Sequence, residues 1–461
     1  MTKHTTDTIV ALYAGAFIHT PTLGQLDVIE HGVAGVSADG SILLFEREST
    51  VDAVIKEYSL NRADLKITDI TQGNRFFFPG FVDTHIHAPQ YPNNGIFGNS
   101  TLLDWLTTYT FPLEASLTNL KRADLVYNKV IARTLGNGTT CAAYYATIDA
   151  DATNLLADLA LKLGQRALIG KVCMNDNSPD YYIETLDECK HGTQKVLDHI
   201  KKVDPTNDLI APVLTPRFAP SCTSELMHWL GALKKEHGLH SQTHISENKN
   251  EIEWVGKLFP DSASYADIYN DHNLLDDKTI LAHAIHLSDH EKDLIREKGS
   301  GVSHCPISNS AITSGECRVR WLLDNEIPVG LGTDVSGGFS PSILNTARQA
   351  VLVSRHLAME TGSEHDKLSV EDVLFLGTQG GAKLVGLQDK IGSFGVGKHW
   401  DAQLIDLDTE GSQVDVFDWQ VPEINTETYD QKWKNIVAKW LFNGDDRNSS
   451  RVWVKGRLVK E

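Results

Sequence analysis

A closely spaced pair of histidines follows a buried stretch in the first quarter of the chain. The sequence Pro79-Gly80-Phe81-Val82-Asp83-Thr84-His85-Ile86-His87 is typical of a strand that ends in a loop. Because successive side chains of a strand point to opposite faces, His85 and His87 share one side and Ile86 takes the other. Two imidazoles directed at one point indicate a metal site, although ordinary polar residues at a strand end have the same spacing. The pair alone leaves both interpretations open.

Other side chains with ligand or proton-transfer chemistry stand late in separate apolar runs, namely His244, Glu247, His283 and Asp334. Taken singly, His244 is explained more simply as a hydrogen-bonded strand-end residue and Asp334 as the cap of a following helix. Together with His85 and His87, these two residues offer nitrogen and carboxylate ligands that suit Zn²⁺, with Fe²⁺ as the alternative. The predicted ligands of this metal are His85, His87, His244 and Asp334.

A metal ion with an open coordination position lowers the pKa of bound water enough to provide hydroxide near neutral pH. Glu247, about one turn beyond His244, is predicted to carry protons between that water and the substrate, the alternative being a solvated charge. His283 is predicted to hydrogen-bond the water and stabilise negative charge, with a further ligand as the alternative. Asp334 is predicted to bind metal and also to accept the first proton.

The middle of the chain alternates strand-like and helix-like segments. Helical apolar spacing occurs, for example, in residues 155–163, 224–235 and 289–298. The predicted strands are residues 80–87, 139–146, 167–174, 209–217, 241–246, 279–285, 301–306 and 328–333. Eight such units over roughly 300 residues predict an α/β fold of the (β/α)8 TIM-barrel type, with a doubly wound open sheet as the alternative. A barrel would collect the candidate residues at the C-terminal ends of its strands.

Both ends of the chain have a different sequence pattern, in which short apolar runs are separated by Gly and Asp turns. These runs fill residues 8–76 and return in residues 402–407 and 451–456, which predicts antiparallel strands. We therefore predict a small β-sandwich domain from residues 1–77 and 389–461, and a barrel domain over residues 78–388.

Composition limits the partners and the location of the protein. The 461 residues are 41% hydrophobic and 22% charged, which is typical of a globular protein with a sizeable core. A net charge of −19 disfavours nucleic acid and anionic membranes as partners. The six cysteines form no Cys-x-x-Cys pair, which predicts a reducing, cytoplasmic location without disulfides. The sequence predicts neither a secretory nor a membrane-spanning segment.

These motifs together resemble the amidohydrolase superfamily. Besides the residues above, the resemblance includes Gly332-Thr333-Asp334, the turn at residues 392–402 and the stretch at residues 303–309. It implies the barrel with an accompanying β-sandwich, a metal-dependent hydrolase and a homodimer. Binuclear members carry a bridging lysine on the fourth strand, where this chain has Thr215-Pro216-Arg217, so one metal per chain is implied.

Four stretches, residues 88–92, 103–112, 144–148 and 215–220, are similar to the branch of that superfamily that deaminates guanine to xanthine and ammonia. The similarity implies a small purine substrate held by Gln90, Arg217 and Phe218. Phe218 can lie against the purine ring, Arg217 can donate to the 6-oxygen, and Gln90 can both donate and accept. From the residues alone, Arg217 is equally explained as an ion-pair partner and Phe218 as core. One alternative is another deaminase or a dechlorinase of the superfamily, acting on oxidised guanine, cytosine, an adenosine-like compound or a triazine. The other is a non-catalytic barrel.

Overall fold

The structure, a computed structural model, describes residues 9–417, 419 and 429–461. Residues 1–8, 418 and 420–428 of the predicted terminal domain lie outside the described residues. The strands are β1 Ile9–Thr22, β2 Gln25–Ser37, β3 Ile42–Glu46, β4 Lys66–Asp69, β5 Arg75–Pro79, β6 Phe81–His87, β7 Thr139–Tyr145, β8 Arg166–Gly170, β9 Val172–Cys173, β10 Ile210–Pro216, β11 His240–Ile245, β12 Thr279–His283, β13 Gly301–His304, β14 Val329–Leu331, β15 Ala402–Asp406, β16 Ser449–Val454 and β17 Arg457–Lys460.

Helices cover the outside of the central sheet and fill the connections between its strands. They are α1 Val51–Glu57, α2 Leu102–Trp105, α3 Phe111–Ala115, α4 Leu120–Gly136, α5 Ala150–Leu163, α6 Leu186–Val203, α7 Ser224–His237, α8 Lys249–Leu258, α9 Tyr265–Asp271, α10 Asp289–Lys298, α11 Pro306–Ala311, α12 Val319–Asp324, α13 Ile343–Thr361, α14 Val370–Phe375, α15 Gly381–Leu384 and α16 Tyr429–Asn443. Among these described helices, none is both long and apolar enough to cross a membrane.

The central sheet is a barrel of parallel strands in the order β14-β13-β12-β11-β10-β8-β7-β6. Strands β6, β7 and β8 are buried along their whole length, as expected when a sheet is covered on both faces. The Asp334 N–H donates to the His85 carbonyl (2.8 Å) and the His87 N–H to the Val335 carbonyl (3.1 Å), so the last and first strands meet. The predicted (β/α)8 barrel is confirmed, and the open doubly wound sheet is excluded.

One predicted barrel strand, residues 167–174, is divided in the structure. It becomes β8 and the short β9, both of which pair with β10, and Lys171 stands between them. The ammonium of Lys171 donates to the Glu184 carboxylate (2.7 Å) and to the carbonyl of Val172 (3.1 Å), which satisfies this buried charge outside the barrel centre.

The second sheet combines strands from both ends of the chain, as predicted, but it is mixed rather than antiparallel throughout, because β1 pairs in parallel with β4 and β5. Its order is β17-β16-β15-β5-β1-β2-β3, with β4 beside β1. Strand β5 is the centre of this arrangement, because it pairs with β1 on one side and with β15 on the other. Aromatic side chains fill its core, including Tyr13 stacked on Trp400 with ring centroids 4.1 Å apart. The exact domain boundaries stay a prediction.

A buried ion pair connects the barrel to the second sheet. Arg166 opens β8, and Asp401 directly precedes β15. The two guanidinium nitrogens Nε and Nη2 donate to the two carboxylate oxygens at 2.7 and 3.1 Å, and Nη1 donates to the carbonyl of Asp208 (2.8 Å). The side chains are 2% and 1% exposed, so water cannot replace either partner.

Replacing Arg166 with methionine is expected to lower the free energy of unfolding by about 3–5 kcal/mol, because it leaves the Asp401 carboxylate buried without its cation. Chemical denaturation of the full chain measures the change. The matched control is Arg62→Met, which removes an exposed pair with Asp52 and should cost at most about 0.5 kcal/mol. Equal losses in the two variants would contradict the structural role of Arg166.

Candidate active site

The predicted metal ligands converge at the C-terminal end of the barrel. His85 and His87 end β6, His244 stands near the end of β11, and Asp334 follows β14. Ring nitrogens of the three histidines lie within 4.8 Å of one another. Asp334 Oδ1 lies 3.1 Å from His85 Nε2 and 3.5 Å from His87 Nε2. The structure therefore brings together side chains that are up to about 250 positions apart in sequence.

Local backbone contacts hold these side chains in place. Asp83, on the same strand as His85, accepts hydrogen bonds from the Thr333 N–H (3.0 Å), the Thr333 hydroxyl (2.5 Å) and the His85 N–H (3.2 Å). Asp334 itself adopts a left-handed backbone conformation with φ of 47°, which non-glycine residues rarely take and which is enriched at functional sites. The first and last barrel strands are thus joined next to the proposed metal ligands.

The polar atoms of this cluster fit a bound metal ion. Among the described residues, both ring nitrogens of His85 and Nδ1 of His87 have no hydrogen-bond partner, although both side chains are buried. Buried nitrogens without a partner destabilise the folded state unless they bind a ligand. His244 Nδ1 donates to the carbonyl of Arg217 (2.6 Å), which leaves Nε2 as the lone-pair nitrogen, 3.3 Å from His87 Nε2.

Charge in the cluster is distributed as a metal ion requires. Burial lowers the pKa of His85, His87 and His244, so the imidazoles are neutral and keep their lone pairs. Burial opposes ionisation of Asp334, but the close contact with the His85 imidazole holds the pKa of Asp334 well below its usual range. Three neutral nitrogens and one carboxylate form a donor set that suits a divalent transition metal.

Glu247 and His283 lie beside the cluster, on the same cavity. His283 Nε2 is 3.5 Å from Glu247 Oε2 and 3.8 Å from Asp334 Oδ2. The other ring nitrogen of His283 donates to Asn309 Oδ1 (2.8 Å), which sets the orientation of the ring. Burial raises the pKa of Glu247 to about 7, so this carboxyl group can both take and release a proton near neutral pH.

The residues predicted to hold a purine belong to the same cavity. Gln90, Arg217 and Phe218 all line it, and each is buried. The ring of Phe218 lies 6.1 Å from that of Trp254 in an edge-to-face arrangement, which fixes the position of the Phe218 ring. The cavity combines a few polar groups with an apolar wall, which is the combination that binds a small heterocycle. Its apolar side is completed by Leu102, Trp105, Leu106 and Ile312.

Two residues of the site, Glu114 and Asn309, were not predicted from the sequence. Glu114, fully buried, accepts hydrogen bonds from both Arg217 and Gln90, and Asn309 orients His283. Glu114 stands only two residues after Pro112, in a helix of five residues, and nothing in its sequence neighbourhood distinguishes it from a surface carboxylate. Asn309 belongs to the stretch at residues 303–309, but only the fold shows which side chain it contacts.

The fold and this arrangement define a class of barrel hydrolases. The model of the Amidohydrolase family matches residues 76–459, so the chain belongs to the amidohydrolase family. Within it, the chain is 46% identical over 461 residues to the "Probable guanine deaminase" of Schizosaccharomyces pombe, covering 100% of this chain and 84% of that protein. It is 39% identical over 450 residues to the "Guanine deaminase" of Homo sapiens, covering 97% and 96% of the two chains.

Solved structures give the same result. The crystal structure of guanine deaminase from C. acetobutylicum with bound guanine in the active site superposes with a TM-score of 0.85. The sequence identity is 32%, and the match covers 97% of this chain and 99% of that chain. The predicted superfamily and its guanine-deaminating branch are both confirmed. The roles of the individual site residues stay predictions.

Proposed function

We propose that the protein hydrolyses guanine to xanthine and ammonia. The observation that carries this proposal is that one cavity contains both the His-Asp cluster with Glu247 and the side chains of Gln90, Arg217 and Phe218. Similarity to guanine deaminases along nearly the whole chain supports the same conclusion.

One divalent metal ion, Zn²⁺ or alternatively Fe²⁺, would be held by His85, His87, His244 and Asp334. When bound, such an ion supplies a Lewis acid that lowers the pKa of water. Asp334 is charged and lies against His85, so its second oxygen can take the first proton from the attacking water.

Glu247 performs the later proton transfers. A C–O bond forms at the purine carbon that carries the exocyclic amine, and the C–N bond to that amine breaks. The Glu247 carboxyl group protonates the adjacent ring nitrogen, then takes the remaining proton of the added water and passes it to the departing amine, which leaves as ammonia. The proton held by Asp334 then restores the Glu247 carboxyl group. His283, oriented by Asn309, donates from Nε2 to the oxygen on which negative charge develops.

Recognition of the base is assigned to three residues that line the same cavity. Phe218 lies against the ring, Arg217 donates to the 6-oxygen, and Gln90 bonds the edge of the purine. A homodimer, a cytoplasmic location and the division into residues 1–77 with 389–461 and residues 78–388 stay predictions.

The test is an assay of the purified, metal-replete protein with guanine. We expect conversion to xanthine with one ammonia released per guanine, followed by ultraviolet absorbance and ammonia detection. Oxidised guanine, cytosine, adenosine and a triazine serve as the comparison panel. Unchanged guanine together with conversion of another panel member would reject this function in favour of that substrate.

A further inference from the structure

A buried carboxylate stands behind the residues that are assigned to the purine. Glu114 of α3 has no solvent exposure. It accepts hydrogen bonds from Arg217 Nη1 (2.7 Å) and Nη2 (3.1 Å), from Gln90 Nε2 (2.8 Å) and from the Tyr182 hydroxyl (2.8 Å). These four donor groups, from three side chains, use the full acceptor capacity of an ionised carboxylate.

These contacts determine which atoms Gln90 and Arg217 can offer to a ligand. Only the NH₂ group of Gln90 can donate to Glu114, and the Gln90 oxygen accepts from the Ser336 N–H (3.2 Å), so the orientation of the amide is set from both ends. The paired contact to Glu114 uses one N–H on each terminal nitrogen of Arg217. Further N–H groups on both side chains are left for a ligand in the cavity.

The ion pair also controls charge at this end of the cavity. Arg217 and Glu114 side chains are 3% and 0% exposed, and their opposite charges cancel. The guanidinium also lies over the ring of Phe111, 5.1 Å from its centroid, which restricts its movement further. A neutral base therefore meets a rigid, uncharged unit whose free groups are hydrogen-bond donors.

We propose that Glu114 is a positioning residue that determines specificity for purines with a 6-oxygen. By holding Arg217 and Gln90, it directs N–H donors towards a carbonyl-bearing edge, and these donors are left unpaired when the carbonyl is missing. The inference rests on the proposed function and adds to it the residue that selects the substrate.

The experiment compares guanine with 2-aminopurine, which carries the same 2-amino leaving group but lacks the 6-oxygen. A site that hydrogen-bonds a polar substrate group rejects the analogue without it strongly, so the wild-type ratio of kcat/KM should be at least about 100. In Glu114→Gln we expect this ratio to fall at least about tenfold, with most of the loss on guanine as a higher KM. The ratio does not depend on the fraction of enzyme that is folded.

Tyr182→Phe is the matched control, because it removes one bond to Glu114 without touching Arg217 or Gln90. Its ratio should stay within about twofold of wild type. Glu114→Asp keeps the buried charge but shortens the side chain by one methylene, and it should lower the ratio less than the glutamine variant.

The possible outcomes separate this inference from the proposed function. If a soluble Glu114 variant keeps the wild-type ratio of kcat/KM for guanine over 2-aminopurine, the positioning role is overturned. The proposed deamination of guanine is then unaffected. A wild-type protein that deaminates neither base overturns the proposed function itself. A lower ratio in Glu114→Gln and an unchanged ratio in Tyr182→Phe support the inference.

Discussion

Glu247→Gln is expected to lower kcat for guanine about 10³-fold and to leave KM within a few-fold of wild type. The amide has nearly the same shape as the carboxyl group but cannot transfer a proton. Burial raises the pKa of Glu247 to about 7, which makes this group suited to exchange protons in both directions near neutral pH. Its carboxylate lies 3.5 Å from His283 Nε2, beside the predicted metal ligands.

Steady-state kinetics with guanine measures this effect, and metal analysis of the same sample shows whether the metal is retained. The control is Glu253→Gln in α8, the helix that begins just after Glu247. The side chain of Glu253 is exposed, so this variant should keep wild-type kinetics. A Glu247→Gln enzyme that keeps more than a tenth of the wild-type kcat would refute the assigned proton-transfer role.

Removal of the metal is expected to reduce deamination to background, because the orphaned ring nitrogens of His85 and His87 then have no partner and water is no longer activated. Dialysis against a chelator followed by addition of Zn²⁺ or Fe²⁺ tests this and also identifies the ion that restores activity. Mass spectrometry of the metal should find about one equivalent per chain before dialysis, since the cluster offers one set of ligands.

A substitution gives the same test without a chelator. His87→Ala should lose most of the bound metal, whereas His290→Ala, which removes an exposed histidine paired with Asp267, should keep it. Wild-type metal content in His87→Ala would show that the ion, if present, is bound elsewhere.

The barrel could be predicted from the sequence because its strands are continuous apolar runs. Such runs are typical of parallel strands that are buried on both faces of a sheet. The chemistry could be located for a related reason. Each of His85, His244 and Asp334 stands at the end of such a run, and parallel strands end at the same edge. The exception was the segment at residues 167–174, which its hydrophobicity predicted to be one continuous strand. In the structure, Lys171 separates it into β8 and β9.

The sequence by itself therefore established the alternation of strands and helices, the kinds of ligand atoms available and the side of the barrel on which they lie. Those properties depend on neighbouring residues and on the two-residue period of a strand. Only the folded chain shows that Asp334 meets His85 and that Glu114 binds Arg217 at a distance of 2.7 Å. Such contacts join residues about 100 to 250 positions apart, and no local pattern specifies which buried carboxylate will face which cation.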